Sequence, residues 1–195
     1  MSMPHLPPLV LPITTRRLII RDYTLADVNA VYSYVQDPAY WQYQSAEAPT
    51  AAQVESLLQW VVSDQASKPR RMHFLAAVRK DTGQIIGEAV IKVVNIAERQ
   101  GEIGFGVSPK FWKQGFGSEI AGAALEAAFQ HFKLHRVAGQ CGPDNKGSIR
   151  VMQKLGMARE GLLRDVHHAR GRWWSTLIYG ILDQEYAKFK NLKKT

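Results

Sequence analysis

The most informative segment of this chain is Val107-Ser108-Pro109-Lys110-Phe111-Trp112-Lys113-Gln114-Gly115-Phe116-Gly117-Ser118-Glu119. It has the pattern of a strand end, a short loop with two glycines one residue apart, and the start of an amphipathic helix. Glycine permits a positive φ and a close approach of the backbone to a ligand. The first amides of a helix have no intrahelical partner, and together with the helix dipole they favour an anion. The segment therefore predicts a phosphate site, to which Lys110 and Lys113 add positive charge.

The glycine pattern has a second interpretation, because a tight turn before a helix also needs glycine. Two familiar phosphate motifs do not fit. The dinucleotide fingerprint requires a third small residue where Ile120 stands, inside a parallel βαβ unit. The P-loop requires Gly-Lys-Ser/Thr at the helix start, where this chain has Gly117-Ser118-Glu119. This segment alone therefore does not identify which phosphate ligand binds, and the rest of the chain must supply that information.

Length and composition favour one globular domain. The chain has 195 residues, of which 46% are hydrophobic and 22% are charged, which suits one sizeable core and argues against disorder. No apolar run reaches the roughly 18 to 20 residues that span a bilayer, so no membrane association is expected. The first five residues lack the basic and apolar segments of a secretory signal. With the single cysteine Cys141, these features lead us to expect a cytoplasmic protein.

The formal net charge of +8 raises the question of a nucleic-acid partner. Four lysines stand in the last eight residues, at positions 188, 190, 193 and 194, so a basic tail accounts for much of the excess. An anionic cofactor would account for part of the remainder. Because no known nucleic-acid-binding motif accompanies the charge, we do not expect nucleic acid as a partner.

The order of predicted elements indicates an α/β fold. Residues 1–12 hold four prolines and are expected to form an arm, residues 13–187 form the domain, and residues 188–195 form the basic tail. The predicted order along the chain is one strand, two helices, three strands, one helix, one strand, one helix and two strands. This order predicts a mixed sheet with helices on both faces. The predicted strands are 17–22, 72–79, 84–94, 102–108, 136–141, 157–166 and 173–182, and the predicted helices follow Thr24 and Thr50 and cover 117–133 and 148–155.

From Ile13 to Leu182 the chain resembles the GNAT superfamily, and within it the RimJ/RimL-like branch of ribosomal-protein N-terminal acetyltransferases. The motifs occur in the same order as in that branch. One departure lies in the cofactor loop, where the superfamily usually has Gln or Arg followed by Gly and this chain has Trp112 and Lys113. The segments that carry the resemblance are Thr15–Arg21, Gly101–Val107, Trp112–Glu119, His135–Val137, Asn145–Ile149 and Lys154–Met157.

The resemblance implies a mostly antiparallel mixed sheet, a parallel pair of strands splayed at the cofactor site, and acetyl-CoA as the acyl donor. Amides from Gln114 to Ser118 would hold the pyrophosphate, and Phe105 and Val107 would pair their backbone with the pantetheine arm. Asn145 would hydrogen-bond that arm. The full set of residues expected at the cofactor is Phe105, Val107, Lys113, Gln114, Gly115, Phe116, Gly117, Ser118, Asn145 and Lys154.

Acetyl transfer requires a neutral amine, although a free α-amine has a pKa of about 8 and a lysine of about 10.4. Glu102 is the candidate base, because Glu102, Gly104 and Gly106 share one face of an ideal strand and glycines leave room for a ligand. A solvated surface carboxylate is the alternative, and a β-bulge would re-aim the side chain.

Ser148 is the candidate acid for the departing thiolate, and capping of the following helix is its alternative role. Cys141 is expected to pack as a small hydrophobe rather than to carry an acetyl group. The histidines and Cys141 lack metal-ligand spacing, so no metal is expected.

Aromatic and basic side chains in two segments are candidates for the acceptor site. One segment follows the first helix and holds Tyr40, Trp41 and Tyr43, and the other lies at the last hairpin and holds Arg170, Arg172, Trp173 and Trp174. Core packing is the alternative role for each. The resemblance favours a protein or peptide N-terminal amine as acceptor. The alternatives are a small amine (aminoglycoside, polyamine or amino-acid derivative) and a non-catalytic acyl-CoA-binding regulator. Both a monomer and a homodimer remain open.

Overall fold

An eight-stranded mixed sheet forms the centre of the structure, a computed structural model that describes residues 6–192. The strands are ordered β1-β2-β3-β4-β5-β6-β8-β7. They are β1 (Ile13–Thr14), β2 (Leu18–Asp22), β3 (Met72–Arg79), β4 (Ile85–Asn95), β5 (Gln100–Val107), β6 (Arg136–Cys141), β7 (Ala158–Ala169) and β8 (Arg172–Leu182). The helices are α1 (Val28–Val35), α2 (Pro38–Trp41), α3 (Ala51–Asp64), α4 (Phe116–Glu126), α5 (Lys146–Lys154) and α6 (Asp183–Leu192).

Local capping explains where the first helices begin. Thr50 Oγ1 accepts from the Gln53 N–H at 3.3 Å, and Gln53 Oε1 accepts from the Thr50 N–H at 2.8 Å, which completes a capping box before α3. Helix α1 ends at Val35, shortly before Asp37 and Pro38. The same pair also begins α2, because Asp37 accepts the Ala39 N–H at 2.9 Å and proline suits the first helical position.

Each face of the sheet has its own hydrophobic cluster. On one face, α1 and α3 bury Val31, Val54 and Leu58 against Ala76 and Val78 of β3. The other face is covered by α4, whose buried side chains pack against β2 and β4, and by Tyr186 of α6. The predicted arrangement of helices on both faces is confirmed. No helix in the described part of the chain is both long and apolar enough to cross a membrane.

The sheet forks between β5 and β6, the parallel neighbours. The two strands are paired only over residues 100–102 and 136–138, whereas the remaining neighbouring strands of the described sheet are antiparallel. The second half of β5, from Ile103 to Val107, therefore has a backbone edge that β6 does not cover. This mixed, mostly antiparallel sheet with a splayed parallel pair is the arrangement that the resemblance implies.

Several elements differ from the prediction, and β1 and α2 were not predicted at all. The helix expected over 117–133 ends as an α-helix at Glu126 and continues as a π-helix over Ala127–His131. Helix α6 was not predicted, and Lys188 and Lys190 of the predicted tail belong to it; Lys193 and Lys194 lie outside the described residues. Within the predicted arm, Leu6, Leu9 and Leu11 pack against the core, while residues 1–5 lie outside the described part.

Candidate active site

A cavity of about 440 Å³, here called the fork cavity, lies where β5 and β6 separate. It is lined by the end of β5 and by the first turns of α4 and α5. It is also lined by the segment over residues 108–117, here called the glycine loop. Two residues predicted at the cofactor, Gln114 and Lys154, do not line it. The predicted residues that do are Phe105, Val107, Lys113, Gly115, Phe116, Gly117, Ser118 and Asn145.

The glycine loop presents unpaired backbone donors to this cavity. Gly115 precedes α4 in the left-handed region, with φ +83°. The first bond of the helix runs from the Glu119 N–H to the Gly115 carbonyl at 3.2 Å, so the amides of Phe116, Gly117 and Ser118 have no partner within the helix. Lys113 also has a positive φ, +60°, and thus adopts the conformation expected of the glycine that it replaces in the superfamily pattern.

The electrostatic character of the fork cavity is positive. Lys113, Lys146 and Arg150 line it, and among the residues described no aspartate or glutamate does. Lys146 and Arg150 are four residues apart and so share one face of α5, a spacing visible in the sequence that could have revealed them. Unpaired amides, three cations and the absence of a lining carboxylate match the phosphates of a coenzyme A thioester.

The glycine loop is tied to the first strands by an ion pair. Glu119 accepts hydrogen bonds from the Thr15 hydroxyl, the Arg17 N–H and Arg17 Nε, each at 2.7 Å. Arg17 also donates to the Gln114 carbonyl at 3.0 Å, and its guanidinium lies 3.9 Å from the centre of the Phe116 ring. Burial opposes ionisation of Glu119, yet these hydrogen bonds lower its pKa below the usual value. The loop is therefore held in place from outside the cavity.

The exposed edge of β5 borders the fork cavity through Phe105, Gly106 and Val107. The Trp112 indole N–H donates to the Val107 carbonyl at 2.7 Å, which occupies one lone pair of a group expected to face the pantetheine arm. Trp112 also lines the cavity. This contact gives the tryptophan a structural role in the loop: it fastens the loop to the end of β5.

Asn145 and Ser148 stand at the start of α5. Asn145 Oδ1 accepts the Ser148 N–H at 3.0 Å, so the helix is capped by Asn145 rather than by Ser148. The Ser148 hydroxyl does not supply the cap, which leaves its catalytic role open.

A second cavity of about 550 Å³, here called the lateral cavity, lies beside the fork cavity and is lined by α1, α2, α3 and the sheet. The two cavities are contiguous, because they share six lining residues, namely Tyr40, Tyr43, Gln44, Phe105, Asn145 and Ser148. Ser148 is one of the residues at the boundary between the two cavities.

Glu88 on β4 lines the lateral cavity and was not selected from the sequence. Its Oε2 accepts from the Tyr34 hydroxyl at 2.8 Å, and its Oε1 accepts from the Tyr40 hydroxyl. Burial raises the pKa of Glu88, although both of these hydrogen bonds act in the opposite direction. The sequence gives no signal for this site, because Glu88 lies in a mostly apolar strand and its two tyrosine partners are 54 and 48 residues away along the chain.

Glu102 lines neither cavity. It pairs with Lys92 across the β4–β5 ladder, and its carboxylate lies 3.7 Å from Lys92 Nζ. Glu102, Gly104 and Gly106 do share one face of β5, where their partners on β4 are Lys92, Val90 and Glu88. Glu102 stands two residues along that face from the nearest residue that lines a cavity, Gly104.

The residues predicted for the acceptor divide into two groups. Tyr40 and Trp41 line the lateral cavity. Arg172 and Trp173 do not line it. The Cζ atom of Arg172 lies 3.6 Å from the centre of the Trp174 ring, and Trp173 is largely exposed. The hairpin reaches the cavity wall through Arg170 instead, whose Nη1 donates to the carbonyls of Trp41 at 3.1 Å and Gln44 at 3.2 Å.

Cys141 is half-buried in the wall of the lateral cavity. Burial raises the pKa of its thiol to about 11, so the nucleophilic thiolate is scarce at neutral pH. Within residues 6–192 no group of three His, Cys, Asp or Glu side chains is placed to hold a metal ion.

A third cavity, of about 1090 Å³, is separate from this site. It lies at the other end of the sheet, between residues 6–9, the α3–β3 connection and the β4–β5 connection. Its wall includes His73, whose two ring nitrogens have no partner among the described residues and whose pKa is lowered by burial to about 4. No residue predicted for catalysis or cofactor binding lines it.

Comparisons with known proteins agree with this geometry. The family model described as "Acetyltransferase (GNAT) domain" matches residues 17–158. The uncharacterized N-acetyltransferase YnaD of Bacillus subtilis (strain 168) is 33% identical over 174 residues, which are 89% of this chain and 98% of that protein. A GNAT-family acetyltransferase from Bacillus anthracis has a TM-score of 0.77 and 28% identity, covering 88% of this chain and 98% of its own.

The fold is also shared with RimL, the ribosomal L7/L12 α-N-protein acetyltransferase, in its complex with coenzyme A. The TM-score is 0.77 at 15% identity, over 88% of this chain and 98% of RimL. The family match covers most of this chain, and the fork cavity has the donors and charge that coenzyme A phosphates require. The chain therefore belongs to the GNAT family and is an N-acetyltransferase that takes its acetyl group from acetyl-CoA.

Proposed function

We propose that this enzyme transfers the acetyl group directly from acetyl-CoA to the α-amine of a protein or peptide N-terminus, as a member of the RimJ/RimL-like branch. The observation that carries the proposal is the contact between the two cavities. The fork cavity takes the donor, and the lateral cavity, which meets it beside Ser148, takes the amine. Direct transfer needs no covalent enzyme intermediate, in agreement with the raised pKa of the Cys141 thiol.

The charge of the lateral cavity favours an acceptor with one cationic group. Among the described lining residues Glu88 is the one carboxylate, and no lysine or arginine lines the cavity. A polyamine or an aminoglycoside carries several cations, and burying each of them would require its own partner. A single buried carboxylate matches a single ammonium, such as the one at a chain terminus.

The polar lining favours a peptide. Neutral groups that can donate and accept hydrogen bonds line the lateral cavity, and they suit the amides of an extended chain. An α-amine is also easier to deprotonate than a lysine side chain, because its pKa is about 8 rather than about 10.4. The neutral polar residues in question are Gln44, Ser45, Gln53, Gln140 and Thr176.

Ser148 is proposed as the donor of the proton that the departing sulfur takes up. It lines both cavities, and its hydroxyl is not used for the cap of α5. A hydroxyl at this boundary can donate toward a thiolate as negative charge develops there. Ser148→Ala should lower turnover while leaving the affinity for acetyl-CoA nearly unchanged.

The test is acetyl-CoA turnover, measured by thiol release and mass spectrometry, against a panel of peptides and small amines. Each peptide has a matched control, the same sequence with its N-terminus already acetylated. Acetylation of the free α-amine and none of the blocked peptide would support the proposal. Turnover confined to lysine side chains or polyamines would contradict the assigned acceptor, and binding of acetyl-CoA without any turnover would indicate a non-catalytic regulator.

A small amine with one charge and an apolar body is the second candidate. Three buried aliphatic side chains, Val54, Leu58 and Val61, form an apolar wall in the lateral cavity. Such a wall would bind the body of an amino-acid derivative. The same panel separates the two candidates, because a small amine would be acetylated with a higher kcat/KM than any peptide.

A further inference from the structure

We propose that Glu88 is the general base of the acetyl transfer and receives the proton that the acceptor ammonium must lose. The inference rests on the proposed function, in which the lateral cavity holds the amine. It assigns to Glu88 the role that the sequence predicts for Glu102.

The position of Glu88 is the first argument. Glu88 lies opposite Gly106 in the β4–β5 ladder, and Gly106 lines the fork cavity. A Cβ placed on Gly106 would lie only 2.3 Å from Glu88 Oε1, so the carboxylate fills the space that the glycine leaves. Glu88 also lines the lateral cavity. One carboxylate therefore borders both the cavity proposed for the amine and the strand that borders the donor.

The surroundings of the carboxylate are the second argument. The tyrosines Tyr34 and Tyr40 donate to its two oxygens and fix its orientation. The ionisable groups that face Glu88 are the hydroxyls of these two residues and of Tyr23, all of them buried. Burial raises the pKa of Glu88, which brings it toward the range where a base is effective near neutral pH.

The surroundings of Glu102 are the third argument. Its carboxylate forms an ion pair with Lys92 and lines neither cavity. A base must lie within hydrogen-bond reach of the proton that it removes, directly or through one water. Glu88 lines the lateral cavity and is therefore accessible to an amine placed there, whereas Glu102 lines neither cavity.

The reaction balances as follows. Glu88 takes one proton from the ammonium, and the nitrogen lone pair forms a C–N bond to the acetyl carbonyl carbon as the C–S bond breaks. The sulfur leaves with the electron pair of the C–S bond. Ser148 donates its hydroxyl proton to that sulfur and takes up the second proton that the nitrogen loses. Glu88 then releases its proton to solvent, so the products are the acetylated amine, coenzyme A thiol and one proton.

The test compares Glu88→Gln with two other glutamate-to-glutamine variants. Glu98→Gln is the control, since Glu98 is exposed in the β4–β5 connection, and Glu102→Gln represents the competing assignment. Each variant is assayed with the acceptor that the panel identifies, from pH 5 to pH 9. Calorimetric binding of coenzyme A and the thermal unfolding midpoint check that each variant is folded and binds the donor.

The expected result is a kcat at least 100-fold lower for Glu88→Gln, as is typical when a general base is lost, with coenzyme A affinity within about twofold of the wild type. Glu98→Gln should keep the wild-type kcat, and Glu102→Gln should lose far less kcat than Glu88→Gln. Tyr34→Phe removes one hydrogen bond to the ionised carboxylate, so the acid limb of its pH profile should move to higher pH. A residue that only supported the fold would lower kcat without moving this limb.

The other outcomes identify what has failed. If the wild type is active and Glu88→Gln retains its kcat and its acid limb, the base assignment is overturned while the proposed function stands. If the acid limb of the pH profile is lost in Glu102→Gln instead, Glu102 is the general base. If the wild type acetylates nothing on the panel, the proposed function fails, and the assignment of Glu88 falls with it.

Discussion

Glu88 and Gly106 face each other across the β4–β5 pair, and the Glu88 carboxylate occupies the space where a side chain at position 106 would stand. A Cβ at Gly106 would lie 2.3 Å from Glu88 Oε1 and 2.0 Å from the Tyr40 hydroxyl oxygen. Contacts this short cannot be accommodated without movement. The glycine and the carboxylate therefore form a matched pair, in which Gly106 lines the fork cavity and Glu88 lines the lateral cavity.

Gly106→Ala tests this relationship. The added methyl group should displace the Glu88–Tyr40 pair, lowering kcat/KM by at least tenfold and the free energy of unfolding by about 1–3 kcal/mol, as overpacking typically does. Turnover and urea unfolding measure the two effects. Gly161→Ala is the matched control, because a Cβ there meets nothing within 4 Å, and it should change neither quantity appreciably. A fully active, fully stable Gly106→Ala enzyme would contradict the tight packing described.

Lys113 combines a strained backbone with a useful charge. Its φ of +60° is uncommon for a residue with a side chain, and its ammonium belongs to the positive lining of the fork cavity. Lys113→Ala and Lys113→Gly should both weaken coenzyme A binding and reduce its salt dependence, because each removes one cation. Lys113→Gly should be more stable than Lys113→Ala by about 1 kcal/mol, since glycine relieves the left-handed strain. Calorimetry at two salt concentrations and urea unfolding test both statements, and equal stability of the two variants would argue against strain.

Glu119 should make stability depend on pH. Hydrogen bonds from Thr15 and Arg17 hold its folded-state pKa below the unfolded value despite burial, so the ionised carboxylate contributes stability above the unfolded pKa. This contribution is lost as pH falls through the folded-state pKa. Glu119→Gln should therefore cost about 2 kcal/mol at pH 7, the scale for hydrogen bonds to a charged group, and much less near pH 3.

The matched control for Glu119 is Glu126→Gln on the same helix. Glu126 is exposed and pairs with Lys190, and such surface pairs contribute roughly 0–1 kcal/mol. Urea unfolding at both pH values compares the variants. A penalty for Glu119→Gln that is equally large at pH 3 would show that the pairing does not depend on ionisation.

Cys141 should behave as an inert thiol. With a pKa of about 11, its thiolate fraction at pH 8 is on the order of 100-fold below that of a free cysteine of pKa about 8.5. Alkylation by iodoacetamide should be correspondingly slow and should accelerate as the pH rises toward 11. Cys141→Ser should retain turnover, whereas loss of activity with accumulation of an acetylated wild-type thiol would point to covalent catalysis.

Arg170 should control the acceptor side of the site. Its guanidinium holds the Trp41 and Gln44 carbonyls at the wall of the lateral cavity. Arg170→Ala should loosen this wall and raise the KM for the acceptor several-fold, with little change in coenzyme A affinity. Arg172→Ala is the comparison, because Arg172 stacks on Trp174 and lines neither cavity. A larger effect from Arg172→Ala would favour the predicted acceptor contact at Arg172.

Much of the fold could be predicted because its signals are local. The bounds of β3 and β6, over residues 72–79 and 136–141, agree with the sequence prediction, and the capping box at Thr50 marks the start of α3. Helix α6 was missed, because among its side chains only Tyr186 is buried and no strong apolar period marks it. The glycine loop is visible in the sequence for the same reason as the caps, since its conformation depends on neighbouring residues.

The sequence by itself determined the mixed α/β sheet with helices on both faces, the glycine loop and the face of β5 that Glu102 shares with Gly104 and Gly106. Only the tertiary structure decided that the carboxylate lining the lateral cavity is Glu88, because strand pairing sets it opposite Gly106 and helix packing brings Tyr34 and Tyr40 to its oxygens. Backbone propensities act between residues close together in the chain. Burial, ionisation and cavity shape depend instead on contacts between residues far apart in sequence, and these contacts exist only after the chain has folded.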